Sequence, residues 1–290
     1  MDTSTFESFD RAEFVPGADI EIRHSEVVRG RVRFALFDFD GTLSLIREGW
    51  QDVMIPMMVE LLRETGTDET EQQLAAVVSE FVSRLTGKQT IYQAIALAEE
   101  IKRRGKEPLD PLVYKNMYLD LLWERIEHRV AGLQDGTLDP EDWLVPGSRR
   151  LLERLQAAGV TMYLASGTDH RFVVSEAQAL KVDQYFGEHI YGALDNYKDF
   201  SKKMVIDRII AENALHGPEF CAFGDGYVEI EDSKGAGAIA VGVATEEETR
   251  DGVNEWKRNR LIQAGADLVI PDFREADALL DWLGVGGRQW

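Results

Sequence analysis

The stretch RVRFALFDFDGTLSLI, residues 31–46, decides the fold. Its first half is a run of apolar, β-prone residues, which is typical of a central parallel strand buried on both faces. Two carboxylates, Asp38 and Asp40, end that run, and Gly41 follows them where the chain must turn. Ligands of open α/β sheets bind at the carboxyl ends of the strands. The pattern therefore predicts a ligand site at the end of this strand.

Two carboxylates beside a buried strand need a compensating cation or proton. Without one, burying both charges costs roughly several kcal/mol. Oxygen ligands alone at a tight turn favour Mg²⁺ over zinc, which prefers nitrogen and sulfur. A calcium loop would need acids at alternate positions, and Thr42, Ser44 and Ile46 do not supply them. We therefore expect a Mg²⁺ site here.

Composition indicates an acidic globular protein. A chain of 290 residues can hold one large domain, or a core domain with an insert. Its net charge of −20 argues against nucleic acid and anionic membranes as partners, because the field repels both. A phosphorylated substrate is also repelled unless a metal, Lys or Arg reverses the charge locally. The single cysteine, Cys221, and the lack of any long apolar run favour a soluble, cytoplasmic protein.

The hydrophobic periodicity changes twice along the chain and predicts two domains. Residues 1–18 are polar, and we expect a flexible N-terminal segment there. Over 47–145, apolar residues recur at three- and four-residue spacing, which predicts helices. After this insert, helices alternate with strands, which predicts a parallel sheet covered on both faces. The expected architecture is α/β: a Rossmann-like, doubly wound parallel sheet core (19–46 and 146–290) with an inserted all-helical cap (47–145).

Three further motifs follow later strands of the predicted sheet. In ASGT, Ser166 ends an apolar strand and Gly167 precedes a new helix, so a hydroxyl and backbone N–H groups can hold an anion. A lysine opens the helix of SKKMVI. In GDGYVE, Asp225 and Glu229 stand just past another strand. All three motifs are expected to lie at the same edge of the sheet as Asp38.

Taken together, DFDGT, ASGT, SKKMVI and GDGYVE resemble, in order and spacing, the four motifs of the haloacid dehalogenase-like superfamily. The resemblance covers nearly everything from Arg33 to about Ala244. It implies a phosphoric monoester hydrolase with a helical type-one cap, similar to the β-phosphoglucomutase and phosphonatase-like phosphatases. Members that cleave carbon–halogen bonds usually lack an acid two residues after the nucleophile, so Asp40 favours a phosphate ester or anhydride.

The resemblance assigns the acids to catalysis and to the metal. Asp38 is expected to be the nucleophile that forms an aspartyl phosphate, and Asp40 the general acid and then the base. Mg²⁺ would be held by the Asp38 carboxylate, the Asp40 carbonyl and Asp225, with Glu229 acting directly or through water. Alternatives for this last acid are Glu231 and Asp232.

The phosphoryl oxygens would be bound by Ser166, Gly167 and one lysine. Three lysines are available, at 198, 202 and 203. Lys202 fits best, because apolar residues follow it at three, four and seven positions as in the family's motif. Lys198 and Lys203 are then solvated.

The cap is expected to choose the substrate, a small phosphorylated metabolite such as a sugar phosphate. The candidates for specificity are Arg47, on the linker, and Lys88 and Gln89, in a glycine-containing turn between cap helices. For each, a solvated loop is the alternative interpretation. Other functions left open are a phosphomutase, a phosphonate-cleaving hydrolase that would use Lys88, and a non-catalytic binding protein.

Overall fold

Eight strands form one sheet in the part of the chain that the computed structural model describes, residues 9–194 and 196–286. They are β1 (Glu13–Phe14), β2 (Glu21–Ile22), β3 (Phe34–Phe37), β4 (Thr161–Asp169), β5 (Ile190–Ala193), β6 (Phe220–Gly224), β7 (Ile239–Val243) and β8 (Leu268–Ile270). Their order across the sheet is β1-β2-β8-β7-β6-β3-β4-β5. The strand with the two acids, β3, lies between β6 and β4, inside the sheet.

Strands β3 to β8 run parallel, so the predicted doubly wound α/β core is confirmed. The sheet is mixed, however, because β1 and β2 extend it with antiparallel pairs beyond β8. Part of the segment predicted to be flexible, residues 1–18, is therefore ordered: Glu13–Phe14 is a strand, and Phe9 donates its N–H to Asn259 at 3.1 Å. Residues 1–8 lie outside the described residues.

The helices that cover the sheet follow its strands. They are α5 (Ser148–Ala157), α6 (His170–Ala179), α7 (Lys202–Asn213), α8 (Tyr227–Gly235), α9 (Glu255–Gln263) and α10 (Ala276–Leu283). Between β3 and β4 come the helices of the insert: α1 (Gln51–Arg63), α2 (Glu71–Leu85), α3 (Ile91–Arg103) and α4 (Pro111–Asp135). A helical insert at this point agrees with the expected cap, and the boundaries 47 and 145 remain predictions.

The central strand of the sheet, β3, is buried. Ala35, Leu36 and Phe37 are each no more than 1% exposed, as expected of a strand buried on both faces. The ring of Phe37 stacks on Phe223 with centroids 4.6 Å apart. In register, Phe37 also pairs with Leu164 of β4. The chain therefore leaves β3, β4 and β6 at the same edge of the sheet.

Candidate active site

The predicted acids meet at this edge because the strands that precede them are in register. Asp38 follows β3 and donates its backbone N–H to the carbonyl of Phe223 in β6, at 2.9 Å. Asp225 comes directly after β6. Asp38 is only 5% exposed, and its carboxylate accepts the N–H of Phe39 at 2.8 Å. A buried carboxylate is thus held at the end of the central strand.

The turn after Asp40 needs glycine at position 41. Gly41 has φ +73°, which disfavours any L side chain, and a Cβ there would lie 2.3 Å from Asp225 Oδ2. The next residue, Thr42, is fully buried and its hydroxyl accepts the backbone N–H of Asp225 at 2.9 Å. The DGT sequence therefore brings the first and fourth motifs into contact.

Lys202 lies between two of the predicted acids. It is the first residue of α7, and its ammonium group lies 2.7 Å from Asp38 Oδ2 and 2.9 Å from Glu229 Oε2. The other two candidate lysines are exposed: Lys198 lies over the ring of Tyr197, and Lys203 pairs with Asp207 on its own helix. Of the three, only Lys202 reaches the site.

Burial and charge act in opposite directions on this pair. Burial raises the pKa of Asp38 well above its usual range, and nearby Glu229 and Asp225 raise it further, while Lys202 lowers it. For Lys202, burial lowers the pKa, but Asp38 and Glu229 outweigh burial and the net shift is upward. The lysine is therefore held as a cation, and the excess of negative charge around Asp38 calls for a further positive charge.

The arrangement fits a divalent cation. Asp38, Asp225 and Glu229 can each offer an oxygen within 4.8 Å of the other two, and all the donors are oxygens, as Mg²⁺ prefers. Glu229 is already engaged, because Oε1 accepts the N–H of Gly226 at 2.6 Å and Oε2 accepts from Lys202. Its geometry therefore suits a contact through water. The alternative acids, Glu231 and Asp232, are not in this cluster.

Asp40 faces the site from the other side. Its Oδ2 accepts hydrogen bonds from Thr168 Oγ1 at 2.8 Å and from Ser166 Oγ at 3.2 Å. Within the described residues, its buried Oδ1 has no hydrogen-bond partner, although Arg47 Nε lies 3.7 Å away. Thr168 and Ser166 thus hold one oxygen of Asp40, and the other accepts no hydrogen bond from the described residues. The sequence analysis did not assign a role to Thr168, although this residue is the last of the ASGT motif.

The second motif differs from its predicted secondary structure. A helix was expected after Gly167, but β4 continues to Asp169 and α6 begins at His170. The register of β4 with β5 shifts between Ala165 and Asp169, which lets the strand carry its hydroxyls past the sheet edge. The prediction that a helix directly follows Gly167 is therefore wrong, and binding of the phosphoryl group by Ser166 and Gly167 remains a prediction. Gly167 lines the cavity as extended backbone.

A second lysine reaches the site from α9, and nothing in the sequence marked it. Lys257 Nζ lies 2.8 Å from Asp225 Oδ2 and also forms an ion pair with Glu247. Counting Asp38, Glu229 and Lys202, four carboxylates here face two ammonium groups. That imbalance matches the charge of one divalent cation.

Arg47, a predicted specificity residue, is only 8% exposed. Its Nη2 lies 2.6 Å from Glu176 Oε1, and its guanidinium lies over the ring of Phe172. Burial lowers its pKa, but Glu176 and Asp40 outweigh burial and raise it. Much of its charge is therefore committed to Glu176, a partner on α6 that sequence reasoning missed.

The two predicted cap residues separate in the structure. Lys88 is exposed and lines a cavity that lies between the cap and the sheet edge. Gln89 is only 6% exposed, and its amide donates hydrogen bonds to the carbonyls of Phe200 and Tyr197. The side chain of Gln89 thus contacts the core rather than the cavity.

One cavity reaches the three aspartates of the site. It is lined on the core side by Asp38, Asp40 and Asp225, and on the cap side by Trp50, Met54 and Tyr118. Among the described residues, no helix combines the length and the hydrophobicity that a membrane crossing requires. In the cavity, the apolar and aromatic side chains of the cap face the acids of the sheet edge.

Several solved structures have a similar fold. The fold is similar to a predicted phosphoglycolate phosphatase from Haemophilus somnus (17% identity, TM-score 0.54), with 86% of this chain and 97% of that chain covered. It is also similar to β-phosphoglucomutase from Clostridium difficile (13% identity, TM-score 0.56; 87% and 97% covered). A third similar structure is CbbY from Rhodobacter sphaeroides in complex with phosphate (18% identity, TM-score 0.52; 84% and 96% covered).

Sequence comparison gives the family directly. No functionally curated protein matches the chain. The family model described as haloacid dehalogenase-like hydrolase matches residues 32–237, which include all four motifs. The family and the enzyme class predicted from the motifs are thereby confirmed at the level of a hydrolase: this chain belongs to the haloacid dehalogenase-like hydrolases.

Proposed function

We propose that the protein is a Mg²⁺-dependent phosphatase that hydrolyses a small phosphorylated metabolite through an aspartyl phosphate on Asp38. One observation carries the proposal. The buried carboxylate of Asp38 lies 2.7 Å from the Lys202 ammonium group, and Asp40, one oxygen of which accepts no hydrogen bond from the described residues, lines the same cavity. Nucleophile, charge neutraliser and proton donor thus surround one space, as phosphoryl transfer requires.

The reaction follows from these positions. A carboxylate oxygen of Asp38 bonds to phosphorus while the bond to the leaving oxygen breaks, and Asp40 gives that oxygen a proton. Asp40 then takes a proton from water, whose oxygen attacks phosphorus and restores the Asp38 carboxylate. Lys202 neutralises charge on the phosphoryl oxygens. Thr168 and Ser166 keep the Asp40 carboxyl turned towards the cavity.

The metal would supply the remaining positive charge. Asp38 and Asp225 would hold Mg²⁺, with Glu229 through water and the Asp40 carbonyl as a further oxygen ligand. When bound, Mg²⁺ offsets the charge of the carboxylates and the phosphoryl group. The chain's net charge of −20 repels a phosphate, so this local reversal of sign is what admits a substrate.

The cap favours a small substrate. Trp50, Met54 and Tyr118 line the cavity opposite the acids, so a bound substrate would displace water between these walls and the acids. A Schiff-base mechanism on phosphonates is disfavoured, because Lys88 is exposed whereas such lysines are desolvated. We also place the protein in the cytoplasm; its single cysteine, Cys221, is buried and free.

The proposal is tested by the release of inorganic phosphate. Purified protein should release phosphate from p-nitrophenyl phosphate and from members of a panel of phosphorylated metabolites, only with Mg²⁺ present. The Asp38→Asn variant should release none, because an amide is not a nucleophile. Isomerised sugar phosphate without phosphate release would indicate a phosphomutase instead. Activity that persists in the variant, or in excess chelator, would contradict the proposal.

A further inference from the structure

The cap loop of residues 86–89, between α2 and α3, contacts the catalytic motifs at backbone distance. A Cβ added to Gly167 would lie 2.9 Å from the carbonyl oxygen of Lys88. A Cβ added to Gly87 would lie 3.4 Å from the Cα of Gly226 in the fourth motif. On its outer side, Arg260 of α9 donates a hydrogen bond to the carbonyl of Thr86 at 2.9 Å. The second and fourth motifs are therefore packed against this loop.

Gln89 connects the same loop to the third motif. Its side-chain amide donates to the carbonyl of Phe200 at 2.7 Å and to that of Tyr197 at 3.1 Å. Both of its donors are used on one segment of four residues, which ends directly before Ser201. Ser201 caps the N-terminus of α7, where its hydroxyl accepts the N–H of Met204. The segment that Gln89 holds is thus the one that places the start of α7.

The environment of the Gln89 carbonyl oxygen indicates that this side chain is present for its amide N–H donors. Gln89 Oε1 is buried and has no hydrogen-bond partner within the described ranges. Leaving a buried amide oxygen unpaired lowers the stability of the folded protein. An apolar side chain of similar length would fill the same space without that cost. The unpaired oxygen of Gln89 is thus offset by two hydrogen bonds from its amide to residues 197–200, the segment that precedes α7.

Lys202 has little tolerance for movement. Its two ion pairs, at 2.7 Å to Asp38 and 2.9 Å to Glu229, would lengthen if the start of α7 shifted. A displacement of about 1 Å at a reacting group can lower a rate by about 100-fold. From these contacts we propose that Gln89 is a positioning residue, which couples the closed position of the cap to the placement of Lys202. The role in turnover rests on the proposed phosphatase function.

The test compares Gln89→Met with a matched control. Methionine keeps the length of the side chain and removes both donors. The control is Lys115→Met, which removes a cap–core ion pair, Lys115 of α4 to Asp169 of β4, away from the Lys202 segment. For each protein, kcat and KM are measured with p-nitrophenyl phosphate. Separately, the labelling of Lys202 by an amine-reactive ester is followed by peptide mass spectrometry.

We expect Gln89→Met to lower kcat by about 10- to 100-fold and to raise the labelling of Lys202 by several-fold, because its ammonium group is released from Asp38. Lys115→Met should change neither to that extent. The second variant, Gln89→Asn, keeps an amide that reaches less far and should fall between wild type and Gln89→Met, which guards against loss of fold in the methionine variant.

Wild-type labelling and kcat in Gln89→Met would overturn the inference, and so would equal changes in the Lys115→Met control. The two proposals fail separately. If the wild type releases no phosphate, the phosphatase proposal fails, while the labelling of Lys202 still decides whether Gln89 positions it. If the wild type is active and Gln89→Met behaves like it in both measurements, only the positioning role fails.

Discussion

The ammonium group of Lys202 lies 2.7 Å from Asp38 Oδ2, although 163 residues separate them in the chain, and the same group contacts Glu229. Both side chains of the Lys202–Asp38 pair are nearly inaccessible, at 4% and 6% exposure. A salt bridge so well buried is costly to break on one side, because the remaining charge is left without compensation. The relationship links the third motif to the proposed nucleophile.

Lys202→Met should therefore lower kcat by about 100- to 1000-fold, as the loss of one charge-stabilising group does in other enzymes. The matched control is Lys203→Met, since Lys203 is the next residue, is exposed, and pairs only with Asp207 in the described structure. Steady-state phosphate release measures both. Equal loss in the two variants, or none in either, would show that Lys202 does not bind the phosphoryl group.

Lys257 should hold down the affinity for Mg²⁺. Its ammonium group lies 2.8 Å from Asp225 Oδ2 and adds positive charge beside a proposed metal ligand. Lys257→Met should tighten Mg²⁺ binding by about tenfold or more, measured by isothermal titration calorimetry. Glu247→Gln, which removes a neighbouring negative charge, should weaken it. Weaker binding in Lys257→Met would mean that the lysine chiefly orients Asp225.

Arg47 and Glu176 should behave as one unit in stability. Glu176 is 2% exposed, and burial raises its pKa while Arg47 lowers it. Arg47→Met leaves this carboxylate unpaired and should cost about 3–5 kcal/mol in the free energy of unfolding. The double variant Arg47→Met, Glu176→Met should recover much of that loss in urea titrations. Additive losses in the double variant would show that the two side chains are not coupled.

Acid should release the N-terminal strands through Glu21. Burial raises the pKa of Glu21, but hydrogen bonds from Arg258 and the Ala12 N–H outweigh it and lower the pKa from 4.5 to about 2. The ionised carboxylate is thus favoured in the folded state. Its stabilisation, about 1–3 kcal/mol, is complete above pH 4.5 and declines as the pH falls towards 2.

Glu21→Gln tests this dependence. In urea titrations at successive pH values, the stability difference between wild type and variant should be largest above pH 4.5 and shrink below it. The same variant should loosen residues 9–14, because Arg258 also donates to the carbonyls of Phe9 and Asp10. A difference independent of pH would refute the depressed pKa.

The fold and the four motif positions were predictable because their signals are local. The apolar run of β3 with its acids, and the apolar spacing after Lys202, are both readable within about ten residues. Parallel register then forces the ends of neighbouring strands together, so the meeting of Asp38 with Asp225 follows from topology. The structure accordingly brings Asp38 and Asp225 together, and their roles in catalysis and metal binding remain predictions.

Other parts depend on packing between distant segments and leave no local pattern. Lys257 reaches Asp225 only because α9 packs beside β7, and the mostly polar sequence of α9, EWKRNRLIQ, contains no motif that marks a site. Gln89 was expected in the cavity, yet its partners are carbonyls more than a hundred residues away. The strand extension at Gly167 depends on pairing with β5, which a turn-forming SGT sequence does not reveal.

The most direct measurement traps the phosphoryl group on the protein. Wild type and Asp40→Asn, in which loss of the base slows hydrolysis, are mixed with acetyl phosphate and Mg²⁺, quenched in acid and reduced with borohydride. The peptide of residues 34–47 is then sequenced by mass spectrometry. We expect Asp38 to become homoserine, most abundantly in Asp40→Asn, and we expect no such product in Asp38→Asn. Phosphate release without modification of Asp38, or with modification at another carboxylate, would contradict it.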